Sequence, residues 1–113
     1  MPLPELLKRS ATREVAVYCD NRTPDVARDQ MRLERSTRGS AITIWECRPS
    51  WRPEYGPDWT RRKIAQLRNG DGGWTLWWAD RNGRWLEYPC KSQPRVADAL
   101  AVIDRDTSGA FFG

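Results

Sequence analysis

The sequence predicts an α+β fold: a five-stranded antiparallel meander sheet with N-terminal and C-terminal helices packed on one face. Three observations lead there. Residues Gly73 to Pro89 carry four of the chain's seven tryptophans on either side of one Asn-Gly turn. Indoles are costly to leave in water and favoured on pleated surfaces, so the two runs read as an antiparallel hairpin. Ala41 to Arg48 is a β-branched run, read as a further strand. Val96, Ala99, Leu100 and Ile103 recur at helical spacing, an apolar stripe suited to covering a sheet.

Taken in order, Pro4 followed by Glu5 opens a helix expected over about 4–20, with Leu7, Ala11, Val15 and Tyr18 on one face. Asn21 and Pro24 are expected to end it. A first strand over about 28–36 alternates weakly, Met31 and Leu33 against Arg32 and Glu34, and a second spans about 40–48. Arg48 to Trp59 holds three prolines and a glycine, so it reads as a long loop. A third strand is expected over about 60–69, ending at Asn69-Gly70-Asp71-Gly72-Gly73.

The hairpin supplies strands over about 73–80 and 84–89. A two-residue loop at Asn82-Gly83 would put Trp74, Leu76 and Trp78 with Trp85 and Glu87. A three-residue loop, Arg81-Asn82-Gly83 with glycine in the left-handed position, changes the parity. Trp74, Leu76, Trp78, Leu86 and Tyr88 then share one face, with Thr75, Trp77, Trp85 and Glu87 on the other. This separates core from surface more cleanly and is preferred. The last helix is expected over about 93–104, with Ser92 as its cap and Pro94 in its first turn.

A chain of 113 residues has room for one domain and one modest core. No apolar run approaches the roughly 18 residues that span a bilayer, and MPLPELLKRSATRE has no apolar segment after a basic start, so a cytoplasmic protein with no membrane partner is expected. The absence of histidine removes Ser-His-Asp and Cys-His nucleophile activation, H-E-x-x-H zinc chemistry and the usual proton shuttle, which weighs against an enzyme. Cys19, Cys47 and Cys90 are odd in number and form no C-x-x-C pair, so reduced thiols are expected, with no metal and no cofactor.

The net charge is +4, and sixteen of the nineteen basic residues are Arg. Residues 28–95 hold fourteen basic and eight acidic groups, which puts the excess on the expected sheet and its loops. Arginine suits bidentate phosphate contacts and stacking, so an anionic partner is indicated.

Ile44-Trp45-Glu46-Cys47-Arg48-Pro49 with Trp51 after it, Trp74 to Tyr88 around Asp80-Arg81-Asn82, and Ile103-Asp104-Arg105-Asp106 running to Phe112-Gly113 together resemble a family of short bacterial proteins classed as domain of unknown function 3024. The likeness covers nearly the whole chain. Ser50 stands where a second proline is common, Glu87 where histidine often sits, and Phe112 in place of a terminal tryptophan. The resemblance implies the fold and no established activity, cofactor or catalytic residue.

The candidate surface is the loop's interleaved Arg48, Trp51, Arg52, Tyr55 and Trp59. Arg61, Arg62, Lys63 and Arg68 on the next strand, with Arg81 and Arg84 at the hairpin tip, extend it as a cationic track. Aromatics that stack on bases and cations that track phosphates are what a single-stranded nucleic acid needs. The alternative is that these indoles close the open end of the sheet while the arginines sit solvated. Function is therefore expected to be non-catalytic binding of a polyanion such as single-stranded nucleic acid. Two other classes stand beside it. One is a protein–protein adaptor using Trp77, Trp85 and Phe111-Phe112 as an apolar patch. The other is a Mg²⁺-dependent nuclease-like enzyme around Glu46-Cys47-Arg48, whose Glu46 is otherwise expected to pair with a cross-strand arginine. Asp104 to Gly109 imitates a calcium loop but lacks the Glu at its twelfth position, so helix termination explains it better, as turn-holding explains Asp80.

Overall fold

A computed structural model describes residues 4–23, 30–49 and 59–112. Pro24, Trp51, Arg52 and Tyr55, and the start of the first expected strand, lie outside the described residues. The elements are α1 (Glu5–Arg22), β1 (Arg32–Arg38), β2 (Ala41–Pro49), β3 (Trp59–Gly70), β4 (Gly73–Ala79), β5 (Trp85–Glu87) and α2 (Val96–Arg105). All five strands pair antiparallel with their sequence neighbours, in the order β1-β2-β3-β4-β5, giving the expected α+β meander with one helix at each end of the chain.

One face of the sheet is the core face. Leu33, Ile42, Ile44, Ile64, Ala65, Leu67, Trp74 and Leu76 form a single buried cluster with Ala11, Val15 and Cys19 of α1 and with Val96, Ala99, Leu100 and Ile103 of α2. Burying such side chains contributes about 1.5–3 kcal/mol each, the main force holding the helices down. Phe111 is buried as well, 4.9 Å from the Tyr88 ring.

The hairpin register follows the three-residue loop. Trp77 faces Glu87, Trp78 faces Leu86 and Ala79 faces Trp85. Gly83 has φ +79°, and Asp80 and Arg84 are joined by a backbone bond of 2.9 Å, from the Asp80 N–H to the Arg84 carbonyl. The Asp80 carboxylate accepts from the N–H groups of Asn82 (2.8 Å) and Arg84 (2.9 Å), which fixes the turn.

Several boundaries differ from expectation for local reasons. Asn21 does not stop α1; the helix runs to Arg22, and Thr23 ends it, its hydroxyl donating to the Cys19 carbonyl (3.1 Å) and accepting from the Leu33 N–H (3.2 Å). Ser92 does not cap α2. Gln93 is held extended by two backbone bonds with Trp74 (2.7 and 2.8 Å), so the chain enters the helix later, with Arg95 at the N-cap and no side-chain cap bond. Pro49 and Trp59, expected in the loop, face each other at the ends of β2 and β3.

A β-bulge has the largest consequence. Ile44 pairs with Ala65 but Trp45 pairs with Lys63, so Ile64 is an extra residue in β3 and side-chain parity reverses there. Ile64 and Ala65 are both buried, and Arg61 and Lys63 are turned to the face that also carries Gln66 and Arg68. Among the described residues, no helix is long and apolar enough to cross a membrane.

Candidate binding face

The face opposite the helices carries an alternation of aromatic and cationic side chains. By register it holds Arg32, Glu34, Ser36 and Arg38 of β1, Thr43, Trp45 and Cys47 of β2, and Trp59, Arg61, Lys63, Gln66 and Arg68 of β3. Thr75 and Trp77 of β4, with Trp85 and Glu87 of β5, complete it. Four indoles lie on this face, all half-buried and none part of the core cluster.

Each of the four is stacked against a cation. The Arg32 guanidinium lies 4.2 Å from the Trp59 ring centre, Arg61 4.4 Å from Trp45 and Arg68 3.8 Å from Trp77, and the Lys63 ammonium is 5.4 Å from Trp85. Such pairs contribute about 0.5–1 kcal/mol at exposed sites. Hydrogen bonds hold the rings in place. Trp45 Nε1 donates to Ser36 Oγ (2.8 Å) and Trp77 Nε1 to Thr75 Oγ1 (3.0 Å). Arg68 Nε donates to Gln66 Oε1 (2.6 Å), whose amide in turn donates to Thr43 Oγ1 (2.9 Å). Lys63 Nζ donates to the Gly83 carbonyl (2.7 Å), tying β3 to the hairpin tip.

Arg32, Arg38, Arg61, Lys63 and Arg68 face two carboxylates, so the surface is positive. Of the two, Glu34 is held by its neighbours on the face: Oε1 lies 2.9 Å from Arg32 Nε and Oε2 accepts from the Cys47 thiol (3.3 Å). The first of these is an ion pair by distance only, since the buried Nε–H has no hydrogen-bond acceptor.

The residues expected to form one cationic track are divided between two faces. Arg61, Lys63, Arg68 and Trp59 share the open face. Arg62 and Arg48 lie on the other and clamp Glu46, with Arg48 Nε 2.8 Å from Oε1 and Arg62 Nη2 3.3 Å from Oε2. Burial opposes ionisation of Glu46, but the two arginines outweigh it and hold its carboxyl below the ordinary value. Arg84 pairs with Asp80 (3.4 Å) at the hairpin tip, and Arg81 stands exposed beside it. Trp51, Arg52 and Tyr55 lie outside the described residues. Trp45 and Arg32, missed in the sequence as site residues, enter because strand pairing brings them beside Arg61 and Trp59.

The apolar patch of Trp77, Trp85 and Phe111-Phe112 is likewise not one surface: Phe111 is in the core, and Phe112 lies beneath the Arg22 guanidinium (4.2 Å) on the helix side. Arg22 also pairs with Asp104 (2.7 Å), which accepts from the Tyr18 hydroxyl too (2.8 Å). Asp106 holds the turn that follows, accepting from the Ser108, Gly109 and Ala110 N–H groups and from the Tyr88 hydroxyl (2.8 Å).

Burial pushes the Cys47 thiol up to about 11, with its bond to Glu34 adding to the effect, and the buried Cys19 thiol up to about 12, so both are protonated near neutrality. Among the described residues, no three His, Cys, Asp or Glu side chains converge as metal ligands.

A search of curated proteins and a search of solved structures each found no match. Residues 3–113 match the profile described as Domain of unknown function (DUF3024), and the chain, with its tryptophan hairpin and flanking helices, belongs to that family.

Proposed function

We propose that the protein is a non-catalytic binding protein that takes a polyanion, specifically single-stranded nucleic acid, on the open face of its sheet. The observation that carries this is the set of four indole–cation pairs, Trp59–Arg32, Trp45–Arg61, Trp77–Arg68 and Trp85–Lys63, all on one face. Stacking on an aromatic contributes about 1–3 kcal/mol per base, and phosphates need cations beside the stacked rings. Bases stack on guanidinium planes as well as on indoles, so either member of an Arg–Trp pair presents a usable flat surface. Hydrogen bonds already fix Trp45, Trp77 and Arg68, which lowers the ordering cost of binding. An uncharged ligand would leave the face's excess cations unanswered. A cytoplasmic location belongs to this reading, and cell fractionation tests it.

The test is titration of a labelled single-stranded oligonucleotide at low salt. Binding is expected at micromolar protein or below, weakened at least about 5-fold by Trp45→Ala, Trp77→Ala and Arg61→Ala. Arg61 neutralises one phosphate in this reading, so its removal lowers the slope of log affinity against log salt by about 0.7. No binding, or binding indifferent to all three variants, overturns the proposal. A stable protein complex on this face, insensitive to oligonucleotide, supports the adaptor instead. Cleavage of the oligonucleotide with Mg²⁺, abolished in Glu46→Gln, supports the nuclease.

A further inference from the structure

We propose that the gap between β3 and the tip of the β4–β5 hairpin is a second binding site, which seats a single nucleotide unit through the plane of the sheet. The choice of occupant rests on the open face being a platform for single strands; the site itself is argued from the break in the sheet.

Pairing of β3 with β4 extends only from Gly70 to Gln66. Beyond it the Ile64 bulge reverses the parity of residues 61–63, and β4 ends at Ala79 to form the hairpin turn. Lys63 Nζ spans the resulting gap to the Gly83 carbonyl at 2.7 Å. Two clefts open there, about 420 Å³ on the open face against Trp45, Arg61 and Lys63, and about 790 Å³ on the helix side. They share Arg62, Ala79, Asp80 and Arg81, so they lie on the two sides of the same gap. The larger lies within the roughly 300–1,000 Å³ of small-molecule sites.

The chemistry of the helix-side cleft is divided in the way a nucleotide is. Its wall is apolar and aromatic, with Trp78, Tyr88, Pro89 and Ala110. The Tyr88 hydroxyl is engaged by Asp106, so the residue offers its ring. The N–H groups of Ser108 and Ala110 are engaged by Asp106 too, which directs the phosphate to the rim, to the exposed Arg81 and to Arg62, which it would share with Glu46 (3.3 Å); the Asp80 carboxylate there is already held by Arg84 and the turn N–H groups. Arg81 makes no ion pair among the described residues and is exposed. A planar ring against Trp78 and Tyr88, with its phosphate between the two arginines, satisfies both halves. The strand on the open face reaches this rim through Arg61 and Lys63, so the unit seated here is its splayed-out or terminal nucleotide.

The test uses the full chain with ¹⁵N-labelled indoles, Trp78 being assigned from Trp78→Phe. Adenosine monophosphate is expected to shift the Trp78 indole resonance and to bind at least 10-fold more tightly than adenosine or inorganic phosphate. Arg81→Gln and Arg62→Gln should each weaken it at least 5-fold, while Arg13→Gln, at an exposed arginine of α1, leaves it unchanged. Equal binding of all three probes, or a Trp78 signal unmoved by the monophosphate while an oligonucleotide shifts Trp45 and Trp77, overturns this site and leaves the platform standing. A Trp78 shift that Arg81→Gln does not weaken also overturns it. Monophosphate binding as described, with no oligonucleotide effect on Trp45 or Trp77, supports the cleft and removes the platform reading.

Discussion

Gly73→Ala puts the junction between the C-terminal segment and the sheet to a direct test. Gly73 has φ +113°, and a Cβ there would sit 2.5 Å from the Gln93 carbonyl oxygen and 3.1 Å from its carbon. Both obstacles are backbone, so no rotamer change relieves them. They belong to the pair of hydrogen bonds, 2.7 and 2.8 Å, that joins Trp74 to Gln93 and sets where α2 begins. The substituted chain must hold a strained φ, at about 1–3 kcal/mol, and push Gln93 away, breaking two bonds of about 0.5–1.5 kcal/mol each. The expected loss is about 2–6 kcal/mol out of the roughly 5–15 kcal/mol typical of a domain. At roughly 4 °C per kcal/mol for a chain of this size, Tm falls by about 8–24 °C. Gly70→Ala is the control, since it has nothing within 4 Å and no positive φ. It should leave urea and thermal unfolding unchanged or raise stability by up to about 1 kcal/mol. A Gly73→Ala protein within about 0.5 kcal/mol of the wild type would refute the claim that this close approach locks the helix onto the sheet.

In the native protein near pH 8, a thiol reagent should label the half-buried Cys90 first and reach Cys19 and Cys47 only on unfolding; simultaneous labelling of all three would contradict their burial. Because Cys47 is raised from 9.0 to about 11 and Cys19 to about 12, the folded state keeps protons that the unfolded chain releases. Stability is therefore intact below pH 9 and declines as pH rises through that window, and denaturant midpoints in Cys19→Ala should decline less. The bond from Ser108, followed by those from Tyr88 and the backbone, holds the Asp106 carboxyl below 3.8. Its contribution is present above that pH and lost as pH falls below it, and Asp106→Asn should lower Tm and remove most of that acid sensitivity. A double-mutant cycle of Trp77→Ala and Arg68→Ala should give a stability coupling of about 0.5–1 kcal/mol, and a coupling above about 2 kcal/mol would mark the pair as a buried structural element.

The hairpin was legible because its register has two alternatives and the tryptophan spacing favours one. Placing Trp74, Leu76, Trp78, Leu86 and Tyr88 on one face needs a three-residue loop, and Gly83 supplies its positive φ; all but the exposed Leu86 then join the core or pack against it. The stripe of α2 was legible for the same reason. The start of α2 was not, because Ser92 is a good local cap and only the distant pairing of Gln93 with Trp74 keeps the chain extended past it. The binding face was half legible. Arg61, Lys63 and Arg68 stand out by composition, but plain alternation puts Arg62 with Arg68 and leaves Arg61 and Lys63 opposite them. The Ile64 bulge reverses this, and a bulge carries no mark in a run as ordinary as Arg62-Lys63-Ile64-Ala65. Trp45 and Arg32 needed the pairing of three strands before either could be assigned a partner.

The bulge also bears on whether the open-face indoles are a lid or a platform. A lid covers apolar surface, and that surface lies on the other side of the sheet, under α1, α2 and Phe111. Trp74 and Trp78 serve it, one buried and one packed against it. Trp45, Trp59, Trp77 and Trp85 have no helix above them among the described residues, and what each holds is a cation. An unbulged β3 would have turned Arg61 and Lys63 toward the helix side beside Glu46 and Arg48, put Ile64 opposite Trp45 and Arg62 opposite Cys47 on the open face, and left Trp85 without its lysine. The extra residue at Ile64 thus keeps an apolar side chain in the core and aligns cations with indoles on the open side. The first of these outcomes serves the core; the second is what the proposed platform for stacked, negatively charged ligands would use.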